Sequence, residues 1–82
     1  MYDFNIIENP HKDNKTKHRF TIDANGGIYK HKGGAKDYFL TMPECKLVCD
    51  AGGVDKIWHF LKYSNYRDTL TVAGLLVVNL NP

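Results

Sequence analysis

Three Gly-Gly pairs set the strongest limits on what this chain can fold into. They occupy positions 26–27, 33–34 and 52–53 of an 82-residue sequence. Glycine reaches positive φ at no steric cost, so each pair marks a place where the chain reverses or an element ends. Because no repeat or linker interrupts the chain, we expect residues 1–82 to form one small domain. A domain of this size has little room for an internal cofactor cavity, so function is expected on its outside.

The first half of the chain predicts short strands. Residues 2–8 are rich in aromatic and β-branched side chains and end at Asn9-Pro10, which predicts a strand; the polar residues 11–17 indicate a loop. Residues 19–24 alternate, with Phe20 and Ile22 on one face, as in a half-buried strand. Asn25-Gly26 then predicts a tight hairpin turn, residues 28–32 the returning strand, and residues 37–42 the third strand of a meander.

The second half predicts two helices and a strand. Thr41 and Glu44 have capping-box spacing, which predicts a helix running to Ala51, with Cys45, Val48 and Cys49 on one face. A strand is the alternative for residues 43–51, because Cys45, Leu47 and Cys49 also alternate. Residues 54–63 have the spacing of an amphipathic helix. Residues 69–80 predict one strand covered on both faces, with Gly74 at a bulge or a close approach of another backbone.

These segments predict an α+β fold in the order β-β-β-α-α-β. It is a small antiparallel sheet with one or two helices packed on one face.

Charge is distributed unevenly along the chain. The net charge is only +2, which argues against a nucleic-acid mimic, because a mimic needs a large acidic excess, and against binding by phosphate attraction alone. Residues 10–37, however, hold seven bases and three acids, with three histidines among them. The predicted hairpin should therefore carry a basic face.

Two groups of residues are candidates for contact with a protein or nucleic acid. The basic hairpin contributes Lys17, Arg19, Tyr29, Lys30, His31, Lys32 and Lys36, and an aromatic patch after the second helix contributes Tyr63, Tyr66 and Arg67. In the alternative interpretation, the lysines keep an exposed hairpin soluble and the aromatic residues pack between the helices.

The sequence does not predict an enzyme. Cys45, Cys49 and His59 could ligate zinc, but this spacing lacks a second ligand pair, and we interpret both cysteines as small core residues. We expect no metal, no cofactor and no catalytic residue. A small ribonuclease using His18, His31 or His59 is a minor alternative, because scattered histidines are the minimum requirement for acid–base cleavage.

The leading functional prediction is a non-enzymatic interaction protein that binds, and inhibits or modulates, a macromolecular partner. In size, in its lack of catalytic motifs and in its cytosolic character, the chain resembles, in class only, the compact stand-alone proteins of phages and mobile elements. These include anti-CRISPR proteins, and the resemblance implies a nucleic-acid-processing host complex as the partner.

The alternative is a nucleic-acid-binding module that uses the basic hairpin. A meander followed by a helix resembles in outline the sheet-based DNA-binding domains of integrases and part of the double-stranded RNA-binding domain.

The environment and the oligomeric state are also predicted. The chain shows no export signal and no apolar run long enough to span a membrane, and its two cysteines suit a reducing cytoplasm. We expect a monomer, or a homodimer formed through the C-terminal strand.

Overall fold

A computed structural model describes residues 1–37 and 39–82, and these form one antiparallel sheet and two helices. The elements are β1 (Tyr2–Glu8), β2 (Thr16–Ile22), β3 (Ile28–Lys32), β4 (Ala35–Asp37), α1 (Met42–Asp50), α2 (Val54–Lys62), β5 (Thr69–Val72) and β6 (Leu75–Asn79). The six strands lie in the order β4-β3-β2-β1-β6-β5. The predicted α+β class is confirmed, and no described helix is long and apolar enough to cross a bilayer.

The hairpin between β2 and β3 is confirmed, with Ile22 paired to Ile28. Its connection is longer than the predicted tight turn at Asn25-Gly26, because Asp23 organises a five-residue loop between Ile22 and Ile28. The Asp23 carboxylate accepts hydrogen bonds from the backbone N–H groups of Asn25 and Gly27 at 3.0 and 2.8 Å. The Asp23 N–H also donates to the Gly27 carbonyl at 2.9 Å, so side-chain and backbone hydrogen bonds close the loop together.

The predicted third meander strand is displaced toward the N-terminus. Gly33 and Gly34, both with positive φ, form the turn between Lys32 and Ala35, so β4 begins at once and covers only residues 35–37. Of the predicted strand 37–42, only Asp37 is in β4, Tyr38 lies outside the described residues, and Met42 already begins α1.

Residues 42–50 are helical, which decides between the helix and the strand that the sequence left open. The predicted capping box is present: the Glu44 N–H donates to Thr41 Oγ1, and the Thr41 N–H donates to Glu44 Oε1 at 2.7 Å. The predicted α2 is confirmed as well, with Ile57 and Leu61 buried.

The prediction that Cys45 and Cys49 are core residues is wrong, because both are exposed. The buried residues of this segment are Leu47, Val48 and Ala51. Both sets have helical spacing, and the helix turns the set with the larger aliphatic side chains toward the sheet.

Residues 69–80 form a hairpin and not the predicted single strand. Val72 pairs with Leu75 across Ala73-Gly74, whose φ angles are 50° and 79°. Positive φ at both central residues is the signature of a two-residue hairpin turn, so Gly74 serves this turn and not a bulge.

The core lies between one face of the sheet and the two helices. The strands contribute Phe4, Ile6, Phe20, Ile22 and Val77, and the helical segment contributes Leu47, Val48, Ala51, Ile57 and Leu61. Trp58 is half-buried and meets Tyr2 edge-on, with ring centroids 5.0 Å apart. Since strand side chains alternate between faces, the opposite face of the sheet carries a different set of residues.

Candidate interaction surface

The face of the sheet turned away from the helices has a cationic half and an apolar half. We call it the open face. Its cationic half comprises Asp3, Lys17, Arg19, Thr21, Tyr29, His31 and Lys36. Its apolar half is formed by Ile7, Leu76 and Val78 and is bordered by the polar residues Asn5, Thr69 and Thr71. Lys17, Arg19 and Lys36 are exposed cations, and the cationic half holds one carboxylate. Five of the predicted hairpin site residues therefore share one surface.

A hydrogen-bonded network centred on Thr21 organises the cationic half. The Thr21 hydroxyl donates to Asp3 Oδ1 at 2.6 Å, and Arg19 donates to Asp3 Oδ2 at 3.0 Å. His31 Nε2 lies 2.7 Å from Thr21 Oγ1. Because the carboxylate takes the only hydroxyl proton, Nε2 has to carry a proton and donate it to Thr21. One buried threonine thus fixes the tautomer of a surface histidine.

Burial, hydrogen bonds and local charges shift the pKa values of His31 and Asp3. Burial, followed by the positive charge of Arg19, lowers the pKa of His31 below its ordinary value of 6.5; Asp3 opposes this shift, and Lys36 and Lys30 add to it. Burial would raise the pKa of Asp3, but hydrogen bonds from Thr21 and Arg19 outweigh burial and lower it. His31 is therefore held neutral and Asp3 ionised, which leaves the excess charge positive.

Tyr29 supports this surface from beneath. Its side chain is 1% exposed, and Lys36 Nζ lies 5.2 Å from the centroid of its ring. Such a contact holds a lysine over an aromatic face. Lys36 is thus the exposed group of this pair.

Lys30 and Lys32 lie on the helix side of the sheet, away from the open face. Lys30 Nζ lies over the Phe20 ring at 5.5 Å. Lys32 Nζ contacts Asp37 at 3.5 Å and Glu44 at 3.3 Å, which ties β3 to the first turn of α1. Because strand side chains alternate, both lysines lie on the face opposite His31, and both contact groups within the molecule.

The predicted aromatic patch lies beside the other edge of the sheet. Tyr63 and Tyr66 are 73% and 52% exposed, and the Arg67 guanidinium lies 5.5 Å from the Tyr66 ring centroid. These residues lead into β5, four strands away from β3 in the sheet order. Neighbouring strands are about 4.8 Å apart, so roughly 19 Å separates β3 from β5. The hairpin and the aromatic patch are two separate surfaces.

The histidines considered for catalysis occupy separate places. His18 is on the helix side and contacts Glu8 at 2.7 Å, whereas His31 is on the open face. His59 lies on α2, with its ring 5.4 Å from that of Tyr63. Within residues 1–37 and 39–82 no three His, Cys, Asp or Glu side chains form a metal-binding group, so Cys45, Cys49 and His59 do not meet.

Sequence reasoning missed two features of the surface. One is the place of Asp3 in the Thr21 network, which depends on the register that pairs Asp3 with Thr21. The other is a shallow groove on the outer side of α1, lined by Met42, Pro43, Cys45, Lys46 and Cys49. In the sequence, this groove is indicated by residues 42, 45 and 49, whose intervals of three and four place them on one helical face.

Comparison with known proteins gives no relative: no family model, no curated protein and no solved structure matches the chain.

Proposed function

We propose that this protein is a non-enzymatic interaction protein that docks its open face on an acidic macromolecular partner and thereby inhibits or modulates it. The observation that carries the proposal is the set of exposed cations, Lys17, Arg19 and Lys36, on a sheet whose network holds Arg19 in place. A preorganised charged surface loses little entropy on binding and attracts a partner of opposite charge.

A protein partner accounts best for the mixed character of the open face. Asp3 lies among the cations, and the half-buried apolar residues Leu76 and Val78 adjoin them. A phosphate backbone offers negative charge alone and repels Asp3, whereas a protein surface combines acidic, basic and apolar groups. A nucleic-acid-processing host complex, the target of anti-CRISPR-like proteins in class, offers an acidic active site for such a face to cover.

A nucleic-acid-binding module is the second candidate. The excess of cations over carboxylates on the cationic half favours it, because phosphate contacts supply most non-specific affinity. The cations that serve this function are Lys17, Arg19 and Lys36, and not the inward-facing pair Lys30 and Lys32.

We place this activity in the cytoplasm, where a protein with two free, exposed cysteines stays reduced. A second copy of the chain is a further partner. The edge strand β5 has the sequence Thr-Leu-Thr-Val, without charge or proline, and an unprotected edge is suited to pairing with another strand.

Affinity purification from the native host tests the proposal. The variant Lys17→Glu/Lys36→Glu reverses two charges on the open face, and Lys56→Glu/Lys62→Glu makes the same net change on α2. We expect the wild type and the α2 variant to recover the same protein partner and the open-face variant to lose it, since like charges then face the acidic surface.

Three results would contradict the proposal. The first is a folded wild-type protein that recovers no partner above background. The second is equal recovery by both variants. The third is binding to duplex DNA or RNA that falls steeply with salt and disappears only in the open-face variant, which would establish the nucleic-acid-binding module instead.

A further inference from the structure

Three of the four sulfur atoms in the chain lie along one groove. Met42, Cys45 and Cys49 line the outer side of α1, and the fourth sulfur belongs to Met1. Both cysteines are free and exposed, and Met42 is 82% exposed. These side chains lie outside the core, to which this segment contributes Leu47, Val48 and Ala51. Packing in the core therefore does not account for the three sulfur-containing side chains on the outer side of α1.

Helical spacing places the three sulfur-bearing side chains on one face of α1. Met42, Cys45 and Cys49 follow each other at intervals of three and four residues, which places them on one helical face with Cβ atoms of successive members about 5–6 Å apart. The first turn is fixed by the Thr41–Glu44 capping box and by the contact between Glu44 and Lys32. Two thiols and a thioether thus share one face of a helix whose first turn is held in place.

The chemistry of this set selects a soft metal ion. Thiolate and thioether ligands prefer Cu(I), whereas structural zinc requires a closed tetrahedral set of sulfur, imidazole or carboxylate ligands. No third His, Cys, Asp or Glu completes such a set among the residues described. Cu(I) is satisfied by fewer ligands, all of which can be sulfur.

We propose that Met42, Cys45 and Cys49 form a binding site for Cu(I) on the outer face of α1. On binding, each cysteine thiol releases its proton to water and forms a copper–sulfur bond, and the Met42 sulfur donates a lone pair. Copper remains Cu(I) throughout, so no oxidant or reductant takes part. Because protons are released, the apparent affinity falls as the pH is lowered.

Competition with a coloured Cu(I) chelator tests this site on the full, reduced chain under anaerobic conditions. We expect one Cu(I) per chain. Cys45→Ser and Cys49→Ser should each weaken binding by at least about 100-fold, since loss of a supporting residue alone costs up to about that much. Met42→Leu keeps the apolar shape and should give a smaller loss.

The matched control keeps two thiols but changes their direction. Lys46→Cys combined with Cys49→Ser places thiols on adjacent residues, whose side chains diverge by about 100° around a helix. All substituted positions are exposed, so circular dichroism should show an unchanged fold.

Three outcomes would overturn the proposal. One is equal affinity of the wild type and the adjacent-thiol variant, which would mean that any two thiols suffice. Another is a stoichiometry of one copper per two chains, which would assign the metal to a bridge between molecules. The last is Zn²⁺ binding as tight as that of Cu(I), which would remove the soft-metal selectivity.

Discussion

Thr21 is the residue on which the organisation of the cationic half depends. Its side chain is 1% exposed, and its hydroxyl contacts both Asp3 and His31. Because a hydroxyl has one proton and can also accept, it joins an acidic and a basic side chain that do not touch directly. A valine of similar shape would leave both without this bond, so the network depends on the chemistry of this position and not on its volume.

His31 makes the stability of the protein depend on pH. Its pKa is lowered in the folded state. Between this lowered value and the ordinary value of 6.5, His31 is therefore protonated to a greater extent in the unfolded chain than in the folded protein. Stability is therefore complete above that value and decreases as the pH falls toward the lowered folded-state pKa. We expect a lower urea midpoint at about pH 5.5 than at about pH 7.5, and a smaller difference in His31→Gln.

His11→Gln is the control for this pH effect, because His11 is exposed in the loop between β1 and β2. This variant should keep the full pH difference. An unchanged pH difference in His31→Gln would show that the lowered pKa of His31 does not contribute to the pH dependence of stability.

At the scale of elements, local sequence signals predicted both helices correctly, but the predicted buried face of α1 was wrong. The capping box located the start of α1, and the apolar spacing of α2 identified its buried residues. Two sets of residues in α1 have helical spacing, so the buried face of this helix depends on which set packs better against the sheet. For the site, no local pattern linked Asp3 to the hairpin, because Asp3 meets Thr21 only through the pairing of β1 with β2.

The turn between β5 and β6 can be tested by substitutions at its two central residues. The sequence did not reveal this hairpin because alanine, and not asparagine, precedes Gly74. Ala73 has a φ of 50°, which an alanine adopts at a cost and an asparagine tolerates better. We expect Ala73→Asn to stabilise the protein by about 0.5–1 kcal/mol, which corresponds to a rise in Tm of roughly 2–8 °C for a chain of this size.

The opposite change at the neighbouring residue provides the comparison. Gly74→Ala imposes a Cβ at a φ of 79° and should lower Tm. If Ala73→Asn lowered Tm, or if Gly74→Ala left it unchanged, the two-residue turn would not describe this connection in solution.

For the molecule as a whole, the two edges of the sheet differ. β4 has three residues, two of them charged, and such a short charged edge resists pairing. β5 has four uncharged residues, and Thr69 and Thr71 point to the open face. A two-fold dimer formed through β5 would extend the sheet and place two open faces side by side.

We expect the wild type to show twice the chain mass at high concentration in sedimentation experiments. Thr69→Lys/Thr71→Lys should be monomeric, because lysines on paired edge strands repel one another. Asn14→Lys/Asn25→Lys adds the same charge in exposed loops and should still dimerise. If the wild type were monomeric at every concentration, a second copy of the chain would be excluded as a partner.

The position of β1 between β2 and β6 has a consequence for how the chain acquires its structure. Phe4 pairs with Asn79, so one side of this inner strand obtains its partner from the far end of the sequence. Closing so long a loop is entropically costly, and folds dominated by distant pairings form slowly. Until β6 arrives, the backbone groups on that side of β1 remain open to other strands. A chain in which β6 has not yet paired with β1 is therefore more exposed to aggregation than the native protein. We expect conditions that slow refolding to lower the yield of folded protein through aggregation.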